Sequence, residues 1–465
     1  MAEGTFLQAD GPSPLRCWRG CLPPLLAEQT LTDTIFALAT PPGRGAIAIL
    51  RLSGPGTEAA LTALGAGGLR PRTASLRELA HDGRRIDKAL VLRFPAPNSY
   101  TGEACAELHL HGGRAVVEAA SEALIAMGLR PADPGEFTRR AFENGRMDLA
   151  QAEAVADLID AETAAQASQA LGQLEGALSQ TYSGFRRDLL IALALVEAEI
   201  DFPDEEVPDN LARSAGPVLD RLIADLRAAL ADARRGERVR EGYRIVLIGE
   251  TNAGKSSLFN ALVAREAAIV TPIAGTTRDV LDADIVIGGY AVTLSDTAGL
   301  RDSADPVEAE GVRRARARAE AADLRLWVRS PDDAEGDAAG FARPGDLLVL
   351  TKADLGAAAT VAGFESLALS TSTGEGLDAL LGWISVRLAR DLSGADFPAV
   401  TRERHRRRLV EALAAVEAGR AALEVSPEMA GDDLRRAAEA LARVTGAIGV
   451  EDILGEVFST FCIGK

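Results

Sequence analysis

The chain has 465 residues, with 50 Lys and Arg against 68 Asp and Glu, a formal charge of −18. Apolar residues make up 47% and charged residues 25%, an ordinary globular balance that excludes a wholly disordered chain. With a pI near 4.9 it is no dedicated basic nucleic-acid binder, so any contact with RNA runs through local basic patches or a partner.

At about 150 residues per domain, the length predicts roughly three domains. Four cysteines, Cys17, Cys21, Cys105 and Cys462, form no disulfide framework and no zinc set, which points to a reducing, cytoplasmic compartment. The longest strongly apolar run, Leu189–Val196, is far short of a membrane span. Residues 1–32 carry Arg16, Arg19 and several prolines but no long apolar core, so they read as a flexible extension and not a signal peptide.

Residues 33–146 alternate short apolar runs with turn signals and predict a compact α+β domain. Ala46–Leu52 follows the Pro41-Pro42-Gly43 turn and predicts a strand, as does Lys88–Phe94. Ala104–His111 has period two, with Ala106, Leu108 and Leu110 on one face and Glu107, His109 and His111 on the other. Helical spacing follows from Arg114 to Met127. Residues 147–240 are rich in Ala, Leu, Glu and Gln and predict helices, broken at Asp201-Phe202-Pro203 and Val207-Pro208. The same composition returns over 389–465. Between the two arms, residues 241–388 read strand–loop–helix repeatedly. Candidate strands are Arg244–Ile248, Ile285–Ile287, Ala291–Ser295, Leu324–Val328, Leu347–Leu350 and Leu367–Leu369, which predicts a mainly parallel sheet between helices. Neither arm alone buries its apolar stripe, so the two are expected to pack as one helical domain split by an inserted α/β domain.

The strongest motif is Gly249-Glu250-Thr251-Asn252-Ala253-Gly254-Lys255-Ser256, a GxxxxGKS loop between a predicted strand and a predicted helix. Glycines let backbone N–H groups of Asn252, Ala253, Gly254 and their neighbours through Ser257 wrap phosphates, and the helix start adds a favourable field. Lys255 is expected on the outer phosphates, and the Ser256 hydroxyl on Mg²⁺. Asp296-Thr297-Ala298-Gly299 then ends a strand, placing a carboxylate near the metal and a glycine N–H near the γ-phosphate. Thr351-Lys352-Ala353-Asp354 ends another, where Asp354 can accept two N–H bonds that guanine offers and adenine does not. Ser370, Thr371 and Ser372 form a further base-side loop. Thr271-Pro272-Ile273-Ala274-Gly275-Thr276-Thr277 sits where a first switch belongs, with Thr277 as the second Mg²⁺ ligand.

In this order the motifs resemble the Ras-like GTPase G domain, whose pattern prefers Asn where Thr351 stands. Leu300 occupies the place where Ras-like enzymes keep a water-positioning Gln, so another group has to orient water, with Asp302, Asp305 and Glu308 nearby. Asn252 and the Gly275–Asp279 segment are similar to potassium-activated GTPases, in which K⁺ replaces an arginine finger.

Outside the G domain, residues 39–55 (ATPPGRGAIAILRLSGP), 97–113 (PNSYTGEACAELHLHGG), 134–163 (PGEFTRRAFENGRMDLAQAEAVADLIDAET) and the terminal Phe461-Cys462-Ile463-Gly464-Lys465 resemble the tRNA wobble-uridine modification GTPases, MnmE or TrmE. The resemblance spans nearly the whole chain. It implies a homodimer that works with the flavoprotein MnmG and K⁺-dependent GTP hydrolysis to install an aminomethyl or carboxymethylaminomethyl group on C5 of the tRNA wobble uridine. A tetrahydrofolate derivative, 5-formyl or methylene, supplies the one-carbon unit. Position by position, the resemblance puts folate contacts at Arg51, Glu107, Arg146 and Lys465. It puts potassium on the Asn252 side chain and the carbonyls of Thr271, Ile273 and Thr276, and the attacking water on Glu308.

Read without the resemblance, Glu107 belongs to a polar outer strand face and Lys465 to a chain end. Arg402, Arg404, Arg406, Arg407 and Arg408 are open to two readings, a solvated helix face or a tRNA phosphate contact. Two other functions fit parts of the pattern. A ribosome-assembly GTPase would need a second G domain or an RNA-binding module, and neither signature occurs. A free-standing folate transferase would work without a flavoprotein, and no GxGxxG fingerprint for a dinucleotide is present here.

Overall fold

A computed structural model describes residues 33–201, 211–250, 252–266, 281–296, 317–331, 343, 345–356, 360–361, 363–394, 397–446, 461 and 464. The chain divides into two compact units, Met1–Arg146 with Gly455–Lys465, and Met147–Leu454. The chain end therefore goes with the first unit, although composition groups residues 389–465 together.

The first unit holds a six-stranded sheet in the order β3-β4-β5-β2-β1-β6. Its strands are β1 (Ile35–Leu38), β2 (Ile47–Ser53), β3 (Ser75–His81), β4 (Arg84–Phe94), β5 (Cys105–His111) and the two-residue β6 (Arg130–Pro131). All neighbours are antiparallel except β1 and β6. Period two sends Leu50, Leu52, Leu108, Leu110 and Val91 inward against Leu61 of α1 (Thr57–Ala63) and Leu124 of α2 (Arg114–Ala126). The opposite face carries a cross-strand row, Leu76–Leu90–His109–Ile49, in which Leu76 and Leu90 are exposed.

The first β-hairpin differs from the sequence expectation. β4 begins four residues earlier than Lys88 and pairs with β3, which composition hides behind Arg77, Glu78, Asp87 and Lys88. The overlooked signal is Asp82-Gly83, whose φ values of 48° and 76° are the two left-handed residues a tight hairpin turn requires. Helix α3 (Glu136–Glu143) is likewise additional.

The second unit contains a bundle and a sheet. The first arm supplies α4 (Leu149–Asp160), α5 (Ala164–Leu174), α6 (Ala177–Asp201), α7 (Gly216–Ala231) and α8 (Ala233–Glu241). Asp148 and Thr163 cap α4 and α5 with reciprocal side-chain bonds to Gln151 and Gln166. These capping boxes start two helices in what reads by composition as continuous helix. The second arm supplies α11 (Glu403–Ala422) and α12 (Pro427–Thr445). One core joins the arms: Leu189 and Val196 of α6, Leu222 and Leu226 of α7, Leu409 and Val416 of α11, and Leu434 and Leu441 of α12. The stripe that each arm leaves exposed is thus covered by the other.

Between the arms lies the sheet β12-β11-β10-β7-β9-β8. Its strands are β7 (Tyr243–Gly249), β8 (Leu281–Ile287), β9 (Tyr290–Asp296), β10 (Leu324–Arg329), β11 (Leu347–Leu350) and β12 (Glu365–Ala368), with α9 (Lys255–Arg265) and α10 (Leu377–Leu392) packed against it. Only the β8–β9 pair is antiparallel. Helix α10 runs past residue 388, where composition changes.

Candidate functional site

The order of the second sheet reverses at β7, whose neighbours are β10 and β9. In open α/β sheets, ligands bind beyond the carboxyl ends of strands at such a point. The GxxxxGKS loop leaves β7 there. Three of its residues have left-handed backbones, Gly249 (φ 151°), Asn252 (φ 67°) and Gly254 (φ 96°). A Cβ on Gly249 would lie 2.3 Å from the Val328 carbonyl oxygen, so glycine is required for the loop to leave the sheet here.

Gly254 is the N-cap of α9, and Lys255 and Ser256 open the helix. The Lys255 Nζ is folded back on the loop, donating to the carbonyls of Gly249 (3.1 Å) and Glu250 (2.8 Å). The Ser256 hydroxyl donates to Asp296 Oδ2 at 2.6 Å. Asp296 is buried, and among the described residues its Oδ1 has no hydrogen-bond partner. A hydroxyl and a carboxylate with one free oxygen, both hard oxygen ligands, fit Mg²⁺. Ser257 is exposed one residue further on, and Ala253 is buried beneath the loop.

The base-side residues converge from β11 and β12. Thr351 is buried, and its hydroxyl reaches Ala253 O (2.5 Å) and Arg329 O (3.0 Å). Lys352 has φ 54°, and the Ala353 N–H is fixed by Leu369 O. Asp354 projects into solvent. Hydrogen bonding from Ser370, with Ser372 at 3.2 Å adding to it, holds its carboxyl below the usual range. The charged form that accepts from guanine N1–H and N2–H is thereby favoured. Thr371 lies between these two serines. Thr271, Pro272, Ile273, Ala274, Gly275, Thr276, Thr277, Thr297, Ala298, Gly299, Glu308 and Lys465 lie outside the described residues.

A second site lies in the first unit. Arg51 and Glu107 are directly paired across β2 and β5 and are bonded through Arg51 Nε and Nη2 at 3.2 and 3.0 Å. Glu107 Oε2 also meets His109 Nε2 at 3.3 Å. The Arg51 guanidinium stands over the rings of Tyr100 and Phe137, at 5.4 and 5.9 Å. Arg51, Glu107, Tyr100, Cys105, Arg72 and Phe94 line a cavity of about 280 Å³. Burial pushes the Tyr100 phenol up, keeping it protonated. So the polar strand face is a half-buried, paired site and not simply a solvated surface. Arg146 is exposed, with its stem over Gly102, two residues beyond Tyr100. Gly464 abuts the Leu38 carbonyl of β1, so the chain end reaches this same sheet.

The basic run over 402–408 divides: Arg406 and Arg407 are exposed, as a solvated helix face expects, whereas Arg402 and Arg404 turn inward. Arg404 donates to both oxygens of Glu153, which is buried, at 2.5 and 2.6 Å. His405 Nε2 meets Glu153 Oε2 at 3.0 Å, and Arg402 donates to Asp157 at 2.6 Å. Burial alone would raise the Glu153 carboxyl, but Arg404 and His405 overcome it and hold it well below the usual range. Burial pushes His405 down to about 4 against the pull of Glu153. These residues join α4 to α11 and face inward. Arg406 and Arg408 pair with Glu403 and Glu411 on their own helix. Nothing in the sequence marks Glu153, 252 positions from His405, as its partner.

A phosphate loop at the switch point, a carboxylate beside its serine and a guanine-type turn on β11 make the second unit a phosphate-loop nucleotide-binding domain, carried between two helical arms. Residues 34–146 match the family model for the GTP-binding protein TrmE N-terminus, and residues 149–462 match that for the MnmE helical domain. The chain is 54% identical over 449 residues to the tRNA modification GTPase MnmE of Caulobacter vibrioides, covering 94% of this chain and 100% of that one. It is equally similar to the MnmE of Phenylobacterium zucineum, and 51% identical over 440 residues to that of Parvibaculum lavamentivorans. The chain belongs to the MnmE family of tRNA modification GTPases.

Proposed function

We propose that this protein hydrolyses GTP with Mg²⁺ and K⁺ and uses that cycle, with a flavoprotein partner, to modify C5 of the tRNA wobble uridine from a tetrahydrofolate one-carbon unit. The observation that carries the GTPase part is the Ser256–Asp296 pair beside Lys255, with one carboxylate oxygen left for a metal. Lys255 binds the outer phosphates, and the backbone N–H groups of Asn252 to Ser257 surround them. Mg²⁺ supplies charge neutralisation when bound, held by Ser256 and Thr277. Thr297, Ala298 and Gly299 follow on the γ-phosphate side, and Glu308 orients the water.

Potassium rests on Asn252, an exposed amide held at φ 67° on the loop, with the carbonyls of Thr271, Ile273 and Thr276. Turnover is expected to be faster in KCl than in NaCl at equal ionic strength, and equal rates would remove the potassium site.

The folate part is supported by the Arg51–Glu107 cavity. A carboxylate accepts from the amino-pyrimidine edge of a pterin, and an arginine pairs with the glutamate tail or stacks on the ring. At about 280 Å³ the cavity suits one end of a folate. Arg146 and Lys465 supply further charge. The exposed leucines of the row Leu76–Leu90–His109–Ile49 support a homodimer formed through the first sheet. No described helix is long and apolar enough to cross a membrane.

The test is nucleoside mass spectrometry of bulk tRNA from cells lacking the gene. C5-aminomethyl-type wobble uridines are expected to vanish and to return with the wild-type gene but not with Lys255→Ala. Unchanged nucleosides would overturn the tRNA-modification reading.

A further inference from the structure

The base-recognition turn departs from the G-domain pattern at one place, Thr351, where the pattern prefers Asn. The side chain at this position is buried, 2% exposed, and lies between three elements. Its hydroxyl oxygen is 2.5 Å from the carbonyl oxygen of Ala253 in the phosphate loop and 3.0 Å from that of Arg329 at the end of β10. Its backbone N–H also donates to Arg329 O, at 2.7 Å. The side chain further fills the open face of Gly254, where a Cβ would stand 3.2 Å from Thr351 Oγ1 and 3.5 Å from its Cγ2.

A threonine hydroxyl has one proton. Both neighbours of this hydroxyl are carbonyl oxygens, which only accept, so the proton is engaged with the protein backbone. An asparagine carries two amide protons and can hold a loop carbonyl with one while offering the other elsewhere. Guanine presents two kinds of edge. N1–H and N2–H₂ donate, and Asp354 receives them. N7 accepts, and it needs a donor that Thr351 no longer has.

We infer that Thr351 is a tether between the base strand and the phosphate loop, and that it leaves the N7 of guanine unread. Guanine is then selected through the Asp354 edge. The hydroxyl instead fixes the loop's distance from β11, holding Ala253 and Gly254 in place at the start of α9. This inference rests on the guanine-nucleotide reading of the site.

The test compares GDP, 7-deaza-GDP and ADP by isothermal titration on the full chain, because 7-deaza-GDP replaces N7 by a C–H and changes nothing on the Asp354 edge. Wild-type protein is expected to bind GDP and 7-deaza-GDP within about twofold. Thr351→Asn is expected to open a preference for GDP of about fivefold, the worth of one added hydrogen bond. Thr351→Val is expected to weaken both guanine nucleotides by the same factor, and Thr351→Ser to restore both. A wild-type preference for GDP over 7-deaza-GDP of fivefold or more overturns the inference. ADP binding as tightly as GDP overturns instead the guanine reading beneath it.

Discussion

The phosphate loop and the Glu153 network both belong to the second unit, yet they treat polar groups in opposite ways. In the loop, the ligand-facing groups come from consecutive residues, Gly249 to Ser257, and several are left open. Asn252 and Ser257 are exposed, and Asp296 keeps one buried oxygen without a partner among the described residues. In the network, Glu153 and His405 are 252 positions apart and fully buried, and the carboxylate accepts from Arg404 and His405 together. A site that must bind leaves ligand-facing oxygens unfilled, whereas the carboxylate that holds two helical arms together has both oxygens filled, although the neighbouring Arg402 Nε has no hydrogen-bond partner among the described residues. The cost of removing a partner should therefore appear as lost stability in one region and lost activity in the other.

The largest expected effect is on the network. Glu153→Ala strands Arg404 and His405 without their carboxylate, and breaking a buried pair in this way costs about 3–5 kcal/mol. Urea unfolding followed by circular dichroism should show the midpoint fall by that equivalent, and a loss under about 1 kcal/mol would mean the two arms do not depend on this contact.

Next is Lys255→Ala, for which steady-state GTP hydrolysis should drop about 10²–10³-fold while the unfolding midpoint moves little. If the midpoint falls as far as that of Glu153→Ala, the contrast between binding site and structural hub is lost.

Acid should probe the network through His405. His405 is neutral when folded, with its pKa down at about 4, whereas an unfolded histidine titrates near its ordinary value, about 6.5. Below that value the unfolded chain binds a proton that the folded chain refuses. Stability is therefore fully present above pH of about 6.5 and is lost as pH falls toward about 4, by on the order of 3 kcal/mol. Unfolding midpoints at a series of pH values would show it, and His405→Gln should flatten the slope.

The smallest effect is at a helix start. Asp148→Ala removes one cap of α4, the helix that carries Glu153, and should cost about 1 kcal/mol in the same urea experiment. A cost several times larger would show that α4 leans on its cap more than on Arg404.

Much of the fold was legible because its signals are local. Beside the phosphate loop, β7 and β11 hold the unbroken apolar runs Ile245–Ile248 and Leu347–Leu350, as buried parallel strands should. Ala106, Leu108 and Leu110 alternate cleanly, so the buried face of β5 could be assigned in advance, and it is the face observed. The hairpin of β3 and β4 was obscured by charged residues on an exposed sheet edge, although Asp82-Gly83 announced its turn. In the nucleotide site, the loop residues and Asp354 were readable from motif order. The hydroxyl contacts of Thr351 were not, because they depend on how closely β11 approaches the loop.

Sequence by itself determined the chemistry on offer: a glycine-bounded loop ending in Lys255 and Ser256, a carboxylate at Asp296, a guanine-type turn at Thr351–Asp354, and family segments from residue 39 to the chain end. These are contiguous, and a few residues of fixed spacing define them. Tertiary structure alone decided which distant groups became partners. It set Arg51 on Glu107 through the register of β2 and β5, and turned Arg402 and Arg404 inward onto Asp157 and Glu153. It closed two helical arms over one core. Side-chain pairing across such separations follows from strand register and helix packing, which no local pattern encodes.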